Sequence, residues 1–122
     1  TERARDPGKG LLDLPGGFVD PGETAEEAVQ REIKEELDLV AQDARYVFST
    51  LNRYPFQGVT YQTLDLFFYL RLDMEPVLRP SEELAAVNWL RRAEVDWSRI
   101  AFPSIRAGLR LFWGIAEGKP TA

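Results

Sequence analysis

An α+β fold, with a mixed β-sheet held between helices, is what this sequence predicts, and three observations predict it. A helix signature covers Ala25–Leu37, opened by Thr24 with Glu27 three residues later, the reciprocal pair of a capping box. A run rich in β-branched and aromatic residues, Val59–Leu72 (VTYQTLDLFFYLRL), reads as a long strand. A second helix-periodic stretch, Pro103–Glu117, closes the chain after further strand signals. The order strand, helix, several strands, helix belongs to sheets layered with helices.

Each element has its own grounds. Thr1–Gly10 is polar and ends in the turn signals Asp6-Pro7-Gly8 and Gly10. Leu11, Leu12 and Leu14 around Asp13 predict a short strand, stopped by Pro15-Gly16-Gly17. Phe18–Glu23 is a loop with the turn Pro21-Gly22. After the first helix, Ala41–Leu51 is a strand centred on Tyr46, Val47 and Phe48, and Asn52–Gly58 is a loop. Val59–Leu72 is long enough that a bend or bulge near Asp65 is expected. Asp73–Glu83 is a loop, Leu84–Leu90 a strand, and Glu94–Ile100 a turn or short helix. In the last helix Ile105, Leu109, Phe112, Trp113 and Ala116 form the apolar face, and Gly118-Lys119-Pro120 ends it. A strand as long as Val59–Leu72 wants neighbours on both sides. The expectation is one domain over residues 1–122 that lacks an N-terminal strand or strands.

The first helix carries an anomaly. At about 100° per residue with Val29 at zero, Ala25 falls near about −40° and Ile33 near about +40°. Leu37 falls at about +80° and Ala28 at about −100°, which completes an apolar stripe. Glu36 falls near about −20° and Glu32 near about −60°, inside that stripe, while Glu35 lies near about −120°. Charge runs on helices are usually solvated faces, which accounts for Glu26 and Glu27. It accounts poorly for Glu36, because a carboxylate facing the core is costly unless paired. Arg31 and Lys34, the nearby cations, do not share its arc. A distant Arg would settle the charge. So would a bound divalent ion, since carboxylates one turn apart suit a hard cation such as Mg²⁺.

Composition narrows the chemistry. The 122 residues are 44% hydrophobic and 29% charged, which suits one globular domain. There is no Cys, so neither a disulfide framework nor a thiolate zinc site is available within these residues. There is no His, so a general base must be a carboxylate, Tyr or Lys. The net charge of −5 argues against a general nucleic-acid surface. No stretch reads as a signal peptide or membrane span, and a cytoplasmic protein is the expectation.

Gly17, Glu23 after five residues, and Arg31-Glu32-Ile33-Lys34-Glu35-Glu36-Leu37-Asp38-Leu39 after seven more resemble the Nudix box. The family pattern is Gly-x5-Glu-x7-Arg-Glu-U-x-Glu-Glu-x-Gly-U, where U is a bulky aliphatic residue. Asp38 is the one departure, standing where the family prefers Gly. Asp is among the better substitutes for Gly in a left-handed position, and the change removes no ligand. The resemblance implies an α/β/α sandwich whose box binds Mg²⁺ or Mn²⁺ and a diphosphate. It implies Glu32 and Glu36 as principal metal ligands, Glu35 as a third ligand or a partner through water, and the Gly16 carbonyl as a backbone ligand. Arg31, paired with Glu23, would hold the box together. The base varies in this family between a box Glu, here Glu35, and a late acidic residue. Glu82 and Glu83, just ahead of Leu84–Leu90, resemble the latter, and Glu83 is favoured; both can equally be solvated loop charges.

Substrate signals lie downstream. Pro55 stands sixteen residues after Leu39, where a Pro is associated with ADP-ribose pyrophosphatases. Ser49 and Pro55 match in register the Ser-Gln-Pro-Trp-Pro-Phe-Pro-x-Ser stretch of NADH pyrophosphatases. A Cys-x-x-Cys pair ahead of Thr1 would mark that zinc-ribbon-bearing branch. Tyr54 and Phe56 are candidates to stack on a nucleobase, or simply pack the loop. The expected activity is metal-dependent cleavage of a nucleoside diphosphate linked to another moiety, with ADP-ribose or an NADH-like substrate favoured. The alternatives are a Nudix sensor that binds a nucleotide sugar without cleaving it, and a house-cleaning nucleoside triphosphate pyrophosphohydrolase. Expected partners are a small-molecule nucleotide, no nucleic acid and no membrane. The apolar 66–70 run and Trp113 would permit a homodimer.

Overall fold

The computed structural model describes residues 1–72, 75–79 and 81–115. Its elements run β1 (Glu2–Arg3), α1 (Ala25–Leu37), β2 (Ala44–Phe56), β3 (Val59–Leu70), β4 (Leu84–Ala86), two 3₁₀ turns (Arg92–Glu94 and Trp97–Arg99) and α2 (Pro103–Phe112). The α+β class is the one predicted. Among the described residues both sheets are antiparallel pairs, β1 with β4 and β2 with β3. The parallel component is a single bridge, Leu12 to Ile100.

β2 and β3 form a long hairpin in register from Ala44–Leu70 to Phe56–Val59. The loop expected over Asn52–Gly58 is corrected to strand as far as Phe56. The reversal needs two residues, Gln57 and Gly58, with φ of 49° and 78°. Positive φ at both central positions is the tight turn whose twist suits a hairpin. Pro55 is tolerated opposite Thr60 because this ribbon has open edges. The bulge expected near Asp65 lies instead on the partner strand, between Tyr46 and Phe48.

Other boundaries also move. Leu12 makes isolated bridges to Glu2 and Ile100 rather than belonging to a strand over 11–14. Glu2 and Arg3, read as part of a polar lead-in, pair with Ala86 and Leu84. The last strand spans three residues, Leu84–Ala86, not 84–90. The last helix ends at Phe112, and Gly114 turns away with φ of 66°. Ala116, Glu117 and the stop signal Gly118–Pro120 lie outside the described residues, as do Asp73, Met74 and Pro80 of the loop ahead of β4.

The hairpin lies between the two helices. Odd-numbered β3 residues face α2: Ser104 bonds Asp65, Phe67 meets Gly108, and Tyr69 stacks on Phe112. A Cβ on Gly108 would come within 2.9 Å of the Phe67 ring, so a glycine there permits the close approach of helix to strand. Even-numbered residues face α1, where Leu70 lines a surface hollow with Ile33 and Leu37. Trp97, Ile100 and Ile105 centre the core, packed by Leu12, Phe67, Phe102, Leu109 and Trp113. The α1 side is less filled, and Leu64 and Leu66 remain exposed. No described helix is long and apolar enough to cross a membrane.

Candidate active site

Both ends of α1 are fixed locally, which sets the faces of its acidic residues. Thr24 Oγ1 accepts from the Glu27 N–H at 3.1 Å, and Glu27 Oε1 accepts from the Thr24 N–H at 3.0 Å. At the far end Asp38 adopts the left-handed conformation, φ 54° and ψ 37°, and its N–H donates to the Lys34 carbonyl. Asp38 therefore does what the expected glycine would do.

Arg31 anchors the loop ahead of the helix. Its Nε and Nη2 donate to the two carboxylate oxygens of Glu23 at 3.0 and 2.7 Å. Nη1 donates to Glu32 at 2.9 Å and Glu35 at 3.2 Å, and Nη2 donates to the Phe18 carbonyl at 3.0 Å. The hydrogen bonds from Arg31, with a backbone N–H from Asp20, hold the Glu23 carboxyl down at about 2. The same contacts, that with Glu23 foremost, raise the already high pKa of Arg31. The expected pairing with Glu23 is present; its extension to Glu32, Glu35 and Phe18 was not foreseen.

Glu36 is in the opposite condition. It is 8% exposed, as its place in the apolar stripe predicted. No Lys or Arg among the described residues comes within ion-pair distance of it. Its one hydrogen bond is from the Gly16 N–H, at 3.2 Å. Burial pushes its carboxyl up to about 7; the Gly16 N–H opposes the rise, and the like charges of Glu32, Glu83 and Asp13 add to it. Glu83, leading into β4, is thus close enough to be felt by Glu36, and Glu82 is not among the charges that raise it. Gly16 meets Glu36 through its N–H. Gly17 lies against the Glu32 carboxylate, and a Cβ there would displace that carboxylate from its place beside Arg31.

Asp13 is the member that sequence reasoning missed. Its Oδ2 accepts from Arg3 Nη1 at 2.7 Å, and its charge reaches Glu36. An acid set among three leucines was the available signal. Among the described residues no three acidic groups converge at coordinating distance. Arg31 draws Glu32 and Glu35 to itself, while Glu36 turns to Gly16. The donor set still suits a hard divalent cation: carboxylate oxygens, one carboxyl without a side-chain cation and raised by its burial first and by its neighbours' charge second.

Tyr54 and Phe56 stand apart from the acidic cluster. Tyr54 sits among Phe18 (6.0 Å, edge-on), Phe102 (5.8 Å) and Phe56 (6.4 Å), and its hydroxyl accepts from Arg3 Nη2 at 3.3 Å. Phe56, near the hairpin tip, is exposed. Tyr54 also borders a cavity of about 430 Å³ lined from α1, from both faces of the hairpin and from the start of α2. One part of that cavity is apolar, with Val29, Ile33, Leu64 and Leu66. Its polar lining residues include Arg3, Asp13, Asn52, Thr63 and Asp65, with Gly16 and Gly17 also on its wall. That volume is within the range of small-molecule sites.

The NUDIX domain profile matches residues 1–109. An 8-oxo-dGTP diphosphatase of Haemophilus influenzae is 42% identical over 100 residues, covering 80% of this chain and 66% of that protein. An ADP-ribose pyrophosphatase of Methanocaldococcus jannaschii is 62% identical over 39 residues, 32% of this chain and 23% of that one. The NAD-capped RNA hydrolase NudC of Escherichia coli is 35% identical over 82 residues, 67% of this chain and 30% of that one. The crystal structure of a NUDIX hydrolase from Nitrosomonas europaea superposes with a TM-score of 0.63 at 27% identity, covering 98% of this chain and 65% of that one. The chain thus spans about two thirds or less of the length of each of these proteins.

Proposed function

The chain belongs to the Nudix family, and from that premise we propose that it hydrolyses the pyrophosphate bond of a nucleoside diphosphate linked to another moiety. ADP-ribose or an NADH-like dinucleotide is the favoured substrate. The observation that carries this reading is Glu36, a carboxylate buried among like charges on a helix whose own arginine is engaged elsewhere. A protein retains such an arrangement for a ligand that answers the charge.

In this reading Glu32 and Glu36, with Glu35 and the Gly16 carbonyl, would hold Mg²⁺ or Mn²⁺. When bound, the ion would neutralise diphosphate oxygens and lower the pKa of the attacking water. Glu83 takes the proton from that water, with Glu35 the other candidate base. The water oxygen bonds to phosphorus, the P–O–P bridge breaks, and the bridging oxygen leaves on the departing phosphate. From ADP-ribose the products are AMP and ribose 5-phosphate. Arg31 is a positioning residue: it ties the Glu23 loop to the helix and keeps Glu32 and Glu35 on one side. Tyr54 and Phe56 offer aromatic faces to the base.

Turnover of ADP-ribose, NADH and a dinucleoside polyphosphate, with and without Mg²⁺, tests the proposal. Mg²⁺-dependent release of a nucleoside monophosphate is expected. Tight ADP-ribose binding with no hydrolysis of any of the three would replace it with a sensor. A second reading, a nucleoside triphosphate pyrophosphohydrolase, draws on the similarity to the 8-oxo-dGTP diphosphatase over 80% of this chain. Assaying 8-oxo-dGTP and CTP in the same series decides between the two.

A further inference from the structure

Two buried donors lack a partner, and they belong to adjoining side chains. The Trp97 indole N–H and the Arg110 Nε–H make no hydrogen bond among the described residues. Trp97 is 9% exposed. The Arg110 guanidinium carbon stands over its ring, 5.8 Å from the centroid. Arg106, one turn earlier on α2, reaches the same residue: its Nη2 donates to the Trp97 carbonyl at 3.1 Å. Two guanidinium groups of α2 thus gather at one indole of the 3₁₀ turn Trp97–Arg99. Among the described residues neither forms an ion pair with an Asp or Glu. The acids ahead of Trp97 in sequence are engaged locally. Glu94 accepts from the Arg91 N–H at 2.8 Å, and Asp96 from the Ser98 hydroxyl at 2.6 Å. Attraction to a helix C-terminus accounts for one cation in the last turn, where Arg110 lies. It does not account for the pair, because like charges four residues apart on a helix repel. Unpaired buried donors are costly, and native proteins leave few of them.

We infer that Arg106 and Arg110 form an anion site beside Trp97, and that the anion is a phosphate group. Guanidinium and indole groups are donors only, so what completes them is an acceptor. Two planar forks match the tetrahedral oxygens of a phosphate, and two positive charges answer its dianion. A carboxylate, with two oxygens and one charge, is matched by a single fork. Both arginines are partly exposed, which leaves the pair open to a ligand from solvent. The hairpin separates α2 from α1, so this is a second site, apart from the acidic cluster around Glu36. It does not depend on the hydrolase reading. It is compatible with it, since AMP and ribose 5-phosphate, the products written above, are both phosphate monoesters.

The test is a titration of the metal-free protein with inorganic phosphate, a ligand that the acidic cluster repels. The Trp97 indole and Arg110 Nε proton resonances are expected to shift saturably, with a Kd of about 1 mM. Potassium chloride at matched ionic strength should leave them in place. Arg106→Gln and Arg110→Gln should each weaken binding at least about tenfold, the effect of losing hydrogen bonds to a charged group. Arg110→Lys should not restore it, because an ammonium offers no fork. Phosphate should raise the Tm of the wild type and not that of either Gln variant. Titrations with AMP and ribose 5-phosphate identify the source. Equal affinity for all three means that the phosphate group alone is read, and tighter AMP binding assigns the site to a nucleotide. If about 50 mM phosphate, far above a millimolar Kd, leaves both resonances unmoved, the two donors are satisfied within the fold and the inference fails. It fails equally if chloride moves them as phosphate does, or if folded Gln variants bind phosphate as the wild type does.

Discussion

The two sides of α1 treat identical residues in opposite ways. On one side Glu23, Glu32 and Glu35 converge on the Arg31 guanidinium, and the Glu23 carboxyl is held at about 2. On the other, Glu36 is buried, has a single N–H donor, and is pushed up to about 7. The first cluster is closed by a cation the chain supplies. The second is open, with Glu32, Glu83 and Asp13 adding negative charge where Glu36 already lacks solvent. Glu32 belongs to both, bonded to Arg31 and felt by Glu36. The difference separates an acid used to hold a loop from an acid available to a ligand.

Breaking the open side gives the largest expected effect. Glu36→Gln removes turnover to the floor of the assay while the protein stays folded, and at pH 8 its metal-free Tm is higher than that of the wild type. Unchanged kcat in a folded Glu36→Gln protein refutes the ligand role. Next comes Glu83→Gln, expected to lower kcat by about 10²–10⁴-fold, the range for loss of a general base. If Glu35→Gln alone causes that loss, the base is in the helix instead. On the closed side Arg31→Ala is expected to cost about 10–100-fold in activity, as loss of a residue that orients ligands does. Lys at 31 should not restore it, because an ammonium cannot reproduce the fork on Glu23.

The smallest effect is also the sharpest test of the contrast, because the two sides depend on pH with opposite sign. Glu36 has a folded-state pKa raised above its ordinary 4.5, so its contribution to stability is full below 4.5 and is lost as pH rises to about 7. That loss should be about 2 kcal/mol after discounting for residual contact with water. Glu23 has a depressed pKa, so its contribution is present above 4.5 and lost as pH falls toward 2. Denaturant melts of the metal-free protein from pH 2 to 8 should show both limbs. Glu36→Gln should lose only the upper one, and Mg²⁺ should suppress it. An upper limb that survives in Glu36→Gln belongs to another group.

Much of the closed side was legible in the residues. The Thr24–Glu27 box follows from local spacing, and the left-handed Asp38 and the Arg31–Glu23 pairing were implied by the resemblance to the Nudix box; all three lie within a few turns of chain. The burial of Glu36 followed from periodicity, since α1 can bury only one stripe. The hairpin was harder. Asn52–Phe56 reads as a loop because of Pro55 and its polar neighbours, and it is strand because a two-residue turn at Gln57-Gly58 sets the register. A shift of one residue would have turned Asn52 to the other face of the ribbon.

By itself, then, the sequence determined where α1 begins and ends, which face it buries and which acid that face carries. Capping, left-handed termini and helical period act over a handful of residues and need no partner from elsewhere. Only the tertiary structure decided that Asp13, Glu32 and Glu83 load Glu36 with charge and that Asn52, in a stretch that reads as loop, is buried on a strand. Electrostatic environment and burial depend on groups brought together from distant parts of the chain. Which of two chemically identical carboxylates is neutralised and which is left open is set by those neighbours, not by the residue.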